Sequence, residues 1–199
     1  MSALALLLAL ASPVDSAIEA ERAFARMAQT DGQWTAFRHY AAHDAVMFVP
    51  EARNVHETLA DAVDPISSVM WWPDRSFVSC DGAIAVNTGS WVRSRQQRVG
   101  YFTTIWERQP DGEWRWLLDH GDRLEEPRPV AEQPAIRRAA CPENPLAEIA
   151  GDEIEQSPDG SLRWTWNVAE DGSRVVRVEM YDGTGYQTVI LDEIAAPAP

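Results

Sequence analysis

The chain has 199 residues, 45% of them apolar, enough to bury the core of one domain with an addition or of two small ones. Its 31 acidic side chains outnumber 17 Lys and Arg, giving a net charge of -14, and all 17 of those basic residues are Arg. That balance argues against nucleic acid or an anionic membrane surface as partner, since both need clustered positive charge, and the lack of Lys excludes lysine Schiff bases and lysine general bases.

The first residues, "MSALALLLALASPVDSAIEAE", hold an apolar run from Ala3 to Ala11. A membrane span takes ~20 such residues, so no membrane span is expected here. The run suits the apolar part of a signal peptide over 1–16, with Val14 and Ser16 placed for cleavage after Ser16. No Arg or Lys precedes it, and an apolar first helical segment is the competing reading. Export would place the chain in a periplasmic or secreted location, where a bond between Cys80 and Cys141 is permitted. Their spacing matches no metal motif.

From Ser16 to Thr30 the pattern is helical, with Ala17, Ala20, Phe24, Met27 and Ala28 on one apolar face. Glu21 falls on that same face and needs a partner, for which an Arg is expected. A short helix follows over 33–40, then an apolar strand over 45–50 stopped by Pro50, then a third short helix over 56–63. Strands are expected over 69–79, 83–95, 100–109 and 113–122, with Asp-Gly turns at 81–82 and 111–112. Residues 124–145 are rich in Pro and charge and read as a linker. Beyond it, 146–199 forms a β extension, with strands at 161–168, 173–181 and 185–192. Three strands rarely stand alone, so they should pack on the first domain or on another subunit. Helices first and strands after argue an α+β fold with an antiparallel sheet wrapped over N-terminal helices.

Residues 17–123 resemble the SnoaL-like, DUF4440-type domains of the NTF2-like superfamily. The resemblance is carried by "AERAFARMAQTDGQWTAFRHYAAHDAVMFVP", "WWPD", "NTGSW" and "GYFTTIWERQPDGEWRWLLDHGD". It implies a cone of curved sheet around helices with an apolar pocket inside. A homodimer is the usual assembly of that superfamily. Its members include steroid isomerases, dehydratases and polyketide cyclases, so fold cannot stand in for function. The general-base Asp of the steroid isomerases and their Tyr–Asp oxyanion pair have no motif match in this chain.

Strict alternation along the last strand puts Trp114, Trp116, Leu118 and His120 on one face and Arg115, Leu117 and Asp119 on the other. Asp119 and His120 should therefore not pair with each other, and at most one enters the pocket. His120 or Asp119 is the candidate general base, with Tyr40 or Tyr101 as hydrogen-bond donor. Structural roles compete with each of these. Trp71, Trp91, Arg93, Phe48, Thr103 and Trp106 are candidate ligand-binding residues. His39 and His43 stand four apart, but no glutamate completes a zinc motif, and no metal or cofactor is expected.

Two functions fit. In the first, an exported domain binds a small apolar molecule in its cone and performs proton-transfer chemistry (isomerisation, dehydration or cyclisation) without a cofactor. In the second, a dimerisation module fills its own cone with Trp71, Trp91 and Phe48. A cavity above ~300 Å³ with one polar group aimed into it distinguishes the first from the second.

Overall fold

In a computed structural model of the chain, Ser16 caps the first helix by accepting the backbone N–H of Glu19 at 3.3 Å. The structure describes residues 16–93, 95, 97–129, 132–143 and 154–197. Of the expected signal segment over 1–16, residues 1–15 lie outside the described residues.

Helix α1 (Ala17–Thr30) buries Ala17, Ala20, Phe24 and Ala28, the face set by its apolar spacing. Helix α2 (Gln33–Tyr40) starts at Gly32, whose φ of 121° suits only glycine. A Cβ at Gly32 would strike the Asp64 carboxylate. That carboxylate instead caps α2 from a distant loop, accepting from the backbone N–H groups of Trp34 and Thr35 and from the Thr35 hydroxyl. Burial pushes the Asp64 pKa up, but these hydrogen bonds prevail and hold it below the usual carboxylate range. The third helix, α3 (Val55–Thr58), is shorter than expected because it closes after one turn at Leu59.

The strands form two sheets. The larger contains β1 (Ala41–Phe48), β2 (Ala52–Asn54), β3 (Met70–Val78), β4 (Ile84–Arg93), β5 (Arg98–Arg108), β6 (Trp114–Leu124) and β7 (Ala135–Arg138). Its order is β2-β1-β6-β5-β4-β3-β7. It is mainly antiparallel, but β1 runs parallel to β6 and β7 parallel to β3. Residues 135–138, inside the segment read as a linker, are thus the edge strand β7. Register shifts in β1, β3 and β6 bend the sheet around the helices without closing it. The smaller sheet contains β8 (Ile154–Gln156), β9 (Leu162–Val168), β10 (Arg174–Tyr181) and β11 (Tyr186–Ile194) in the order β11-β10-β9-β8.

Two cores follow from this layering. On the inner face, Phe24, Ala28, Ala36, Trp106, Trp114 and Trp116 pack helices against the large sheet. On the outer face, Phe77, Val86, Ile105 and Leu118 meet Leu162, Trp164, Val178 and Met180 of the small sheet. The second layer left open between a C-terminal sheet and another subunit is therefore the C-terminal sheet. The Cys80–Cys141 disulfide, with Cα atoms 5.1 Å apart, ties the β3–β4 turn to the segment leading into that sheet. The same turn is held from the other side, where the Cys80 N–H donates to Ser161 Oγ at 2.8 Å.

Candidate functional site

A cavity of about 350 Å³ opens on the inner face, lined by Gln33, Phe37, Val69, Trp71, Trp91 and Phe102. Arg93, Arg98, Asp119, His120, Asp122 and Arg123 add its polar lining. Cross-strand register explains the assembly. Trp71 opposes Trp91 on β3 and β4, and Trp91 opposes Gly100 on β5. A Cβ at Gly100 would strike the Trp91 ring, so glycine there lets the indole lie flat across β5. Its Nε1 then donates to the Tyr101 carbonyl at 3.0 Å. The volume falls in the range of small-molecule sites, roughly 300–1,000 Å³.

Asp119 is the enclosed acid of this cavity. It is enclosed by protein yet keeps accessible surface, which the cavity supplies. Its Oδ2 accepts from the Thr104 hydroxyl at 2.7 Å. Its Oδ1 has no hydrogen bond among the described residues. Desolvation pushes its pKa up to about 7, and the Thr104 hydrogen bond only partly offsets that. A carboxyl group poised there exchanges its proton near neutral pH, as a general base or acid must.

Gln33 supplies a donor. Its Oε1 accepts the Val69 N–H at 3.1 Å, which fixes the amide orientation. The Nε2 end has no partner among the described residues, and Gln33 lines the cavity. Sequence reasoning missed it, because one Gln at a helix start carries no signal of its own.

Behind the cavity wall, Glu21 is fully buried. Its expected Arg partner is replaced by two tryptophans and an asparagine. Trp71 Nε1 donates to Oε1 at 2.8 Å, Trp106 Nε1 to Oε2 at 2.7 Å, and Asn87 Nδ2 to Oε2 at 3.4 Å. Desolvation and then the Asp119 charge raise its pKa to about 8, against the pull of these three donors. Glu21 thereby orients Trp71, whose other flank forms the cavity wall.

The bulge in β6 decides which candidates meet. Ile105 pairs with Leu118 but Trp106 pairs with Trp116, so Leu117 is the extra residue. Alternation resets there. Trp114 and Trp116 belong to the inner core, whereas Leu118 belongs to the outer one, contrary to the single face expected for them with His120. The expectation that Asp119 and His120 point apart holds, and the inward residue is Asp119.

The candidate residues divide accordingly. Trp71, Trp91, Arg93 and Asp119 line the cavity. Trp106 shares the inner face but is sealed beneath it on Glu21. Tyr40 packs against Phe24 and Trp106 at 5.4 and 6.0 Å between ring centroids, outside the cavity lining. His39 lies in the last turn of α2 whereas His43 lies on β1, so the two do not share a helix face.

Tyr101, Thr103, Phe48 and the His120 ring gather instead between the two sheets. His120 borders the cavity, but its Nε2 lies 3.3 Å from Asp192 Oδ2 of β11. Neither ring nitrogen has a hydrogen bond of good geometry among the described residues. Burial pushes its pKa down, outweighing the Asp192 contact. Thr103 Oγ1 donates to the same Asp192 oxygen at 2.8 Å. Tyr101 lies beneath the Arg128 guanidinium, 4.0 Å from ring centroid to Cζ. Phe48 stacks edge-on with Trp166 at 5.5 Å. These four serve the join between the layers, and Phe48 cannot plug the cavity from there.

No family model matches the chain, and no curated protein matches it. Solved structures do resemble it. A provisionally assigned ketosteroid isomerase from Parabacteroides distasonis ATCC 8503 is 17% identical with a TM-score of 0.45, covering 58% of this chain and 94% of that one. An NTF-2 like protein of unknown function from Shewanella oneidensis MR-1 is 16% identical with a TM-score of 0.40, covering 50% and 91%. An NTF2-like superfamily protein from Salmonella enterica serovar Typhimurium is 14% identical with a TM-score of 0.40, covering 58% and 91%. Chemistry has to be read from the cavity's own residues.

Proposed function

We propose that this chain binds a small, largely apolar molecule in the inner cavity and moves a proton on it without a cofactor. The observation that carries this reading is Asp119, which lines the cavity, is enclosed, and has one oxygen held by Thr104 and the other without a hydrogen bond among the described residues. As carboxylate it takes a proton from a carbon acid. As carboxylic acid it returns that proton to another carbon or to a leaving oxygen. Between these steps negative charge collects on the substrate oxygen, and the Gln33 Nε2 amide is the donor available to it. Trp71, Trp91, Phe37 and Phe102 hold the apolar body and exclude water. Isomerase, dehydratase and cyclase reactions all fit this sequence of proton moves.

An exported location belongs to the same reading and is supported by the Cys80–Cys141 disulfide. The homodimer implied by the family resemblance would need a surface other than the outer sheet face, which the C-terminal sheet covers.

Native mass spectrometry of the purified chain should detect a retained small molecule. Solvent deuterium should then enter that molecule at an acidic C–H position, faster as pH rises through about 7. Asp119→Asn should slow that exchange by about 10²-fold or more. Repeated purification with nothing bound counts against the ligand, and exchange unaltered in Asp119→Asn removes the proposed base.

A further inference from the structure

Arg93, Arg98 and Arg123 stand together on the open side of the cavity. Arg98 and Arg123 are exposed and Arg93 is half-buried. Arg93 opposes Arg98 directly across β4 and β5, and Arg123 opposes Gly100 on the neighbouring strand. All share the inner face with Trp91, Phe102 and Asp119. Two like charges directly opposite on a sheet repel each other and destabilise the pairing. Next to Arg98, Gln97 takes a φ of 50°, where a non-glycine residue is strained.

The chain has ample carboxylates to neutralise these guanidiniums. Arg22, Arg53, Arg75, Arg115 and Arg163 each have an acidic partner. Arg93, Arg98 and Arg123 have none among the described residues. Asp122 is the acidic neighbour at this rim, and its Oδ1 accepts the backbone N–H of Arg123 at 2.7 Å. Three cations thus face one carboxylate at the mouth of an aromatic cavity, on a molecule of net charge -14.

We infer that the ligand is an organic acid: an apolar body that sits against Trp71, Trp91 and Phe102 and carries an anionic group bound by the arginine rim. The planar guanidiniums match a carboxylate or sulfonate in geometry as well as charge. The anion fixes the molecule end-on. Its far end then reaches Asp119 and Gln33, away from the charge that would oppose proton removal. This rests on the cavity being the binding site.

The test uses two fluorescent probes with one apolar body, 1-anilinonaphthalene-8-sulfonate and the neutral N-phenyl-1-naphthylamine, titrated into the full chain. Both should bind, and Val69→Trp, which fills the cavity, should abolish both. Arg98→Gln/Arg123→Gln should weaken the sulfonate probe roughly three- to tenfold and leave the neutral probe unchanged. Arg177→Gln, on an exposed position of β10, should change neither. Far-UV circular dichroism checks folding, and Arg98→Gln alone replaces the double variant if that one misfolds. Binding of both probes with an unaltered ratio in the rim variant overturns the organic-acid inference and leaves the cavity reading standing. Binding that survives Val69→Trp, or no binding of either probe, overturns the cavity reading and the inference with it.

Discussion

Moving a carboxylate out of water raises its pKa, and at Asp119 the Thr104 hydroxyl is the single donor among the described residues that opposes this. The folded pKa is about 7 against an ordinary 3.8, so between those values the folded chain keeps a proton that the unfolded chain gives up. The stability contributed by this group is full below about pH 4 and lost as pH rises through about 7. His120 has the opposite sign. Its folded pKa is depressed by burial, so its stability is present above about pH 6.5 and lost as pH falls below it. The thermal midpoint of the wild type should therefore fall relative to that of Asp119→Asn as pH rises from 5 to about 7, with no further divergence from there to pH 9. The difference is on the order of 3 kcal/mol at most. Parallel curves for the two proteins would show that Asp119 ionises freely in the fold. Glu21 makes a second test at this scale. Glu21→Ala strips the acceptor from the Trp71 and Trp106 indoles, and two buried N–H groups left unpaired cost about 3 kcal/mol together. Urea denaturation reads that loss, and a change under about 1 kcal/mol would mean the indoles find other partners.

The β6 strand shows how far element-level reasoning reaches. Its bounds and its Asp111-Gly112 turn are legible, because alternating apolar residues and a turn dipeptide signal both. Its bulge is not legible, since Leu117 suits a regular strand as well as a bulged one. That one residue moves His120 from the expected Trp face to the opposite face. Glu21 was half legible. Its place on an apolar face marked it as paired, while the many tryptophans, each with an N–H to satisfy, held the unread clue to its partners. Edge strand β7 was hidden by the Pro residues around it, because its pairing to β3 is long-range and leaves no local pattern. The disulfide carries this scale's prediction. It links residues 61 apart, and a loop of that length closed in the unfolded chain corresponds to about 4 kcal/mol. Reduction, or Cys80→Ser with Cys141→Ser, should lower the thermal midpoint accordingly. An unchanged midpoint would mean that the stretch around Cys141 is held without the bond.

Across the whole molecule, the large sheet is buried on both faces, and the two faces have different tasks. The outer one is closed by the C-terminal sheet through an apolar core and the Thr103–Asp192 hydrogen bond. With its outer face covered by the C-terminal sheet, the large sheet is a firm wall for the inner cavity. Helices α1 and α2 close that cavity with Gln33 and Phe37 and back it with Glu21. The general α+β plan followed from the chain order of helices and strands. Which face opens to ligand did not, because it depends on the C-terminal sheet covering the other. The account therefore turns on whether an acid that faces the cavity holds its proton near neutral pH. Carbon-13 NMR titration of the aspartate side-chain carboxyls, with Asp119 assigned by its disappearance in Asp119→Asn, measures that directly. The account predicts a midpoint of about 7 for Asp119, whereas a midpoint near 4, like that of a solvated aspartate, would contradict it.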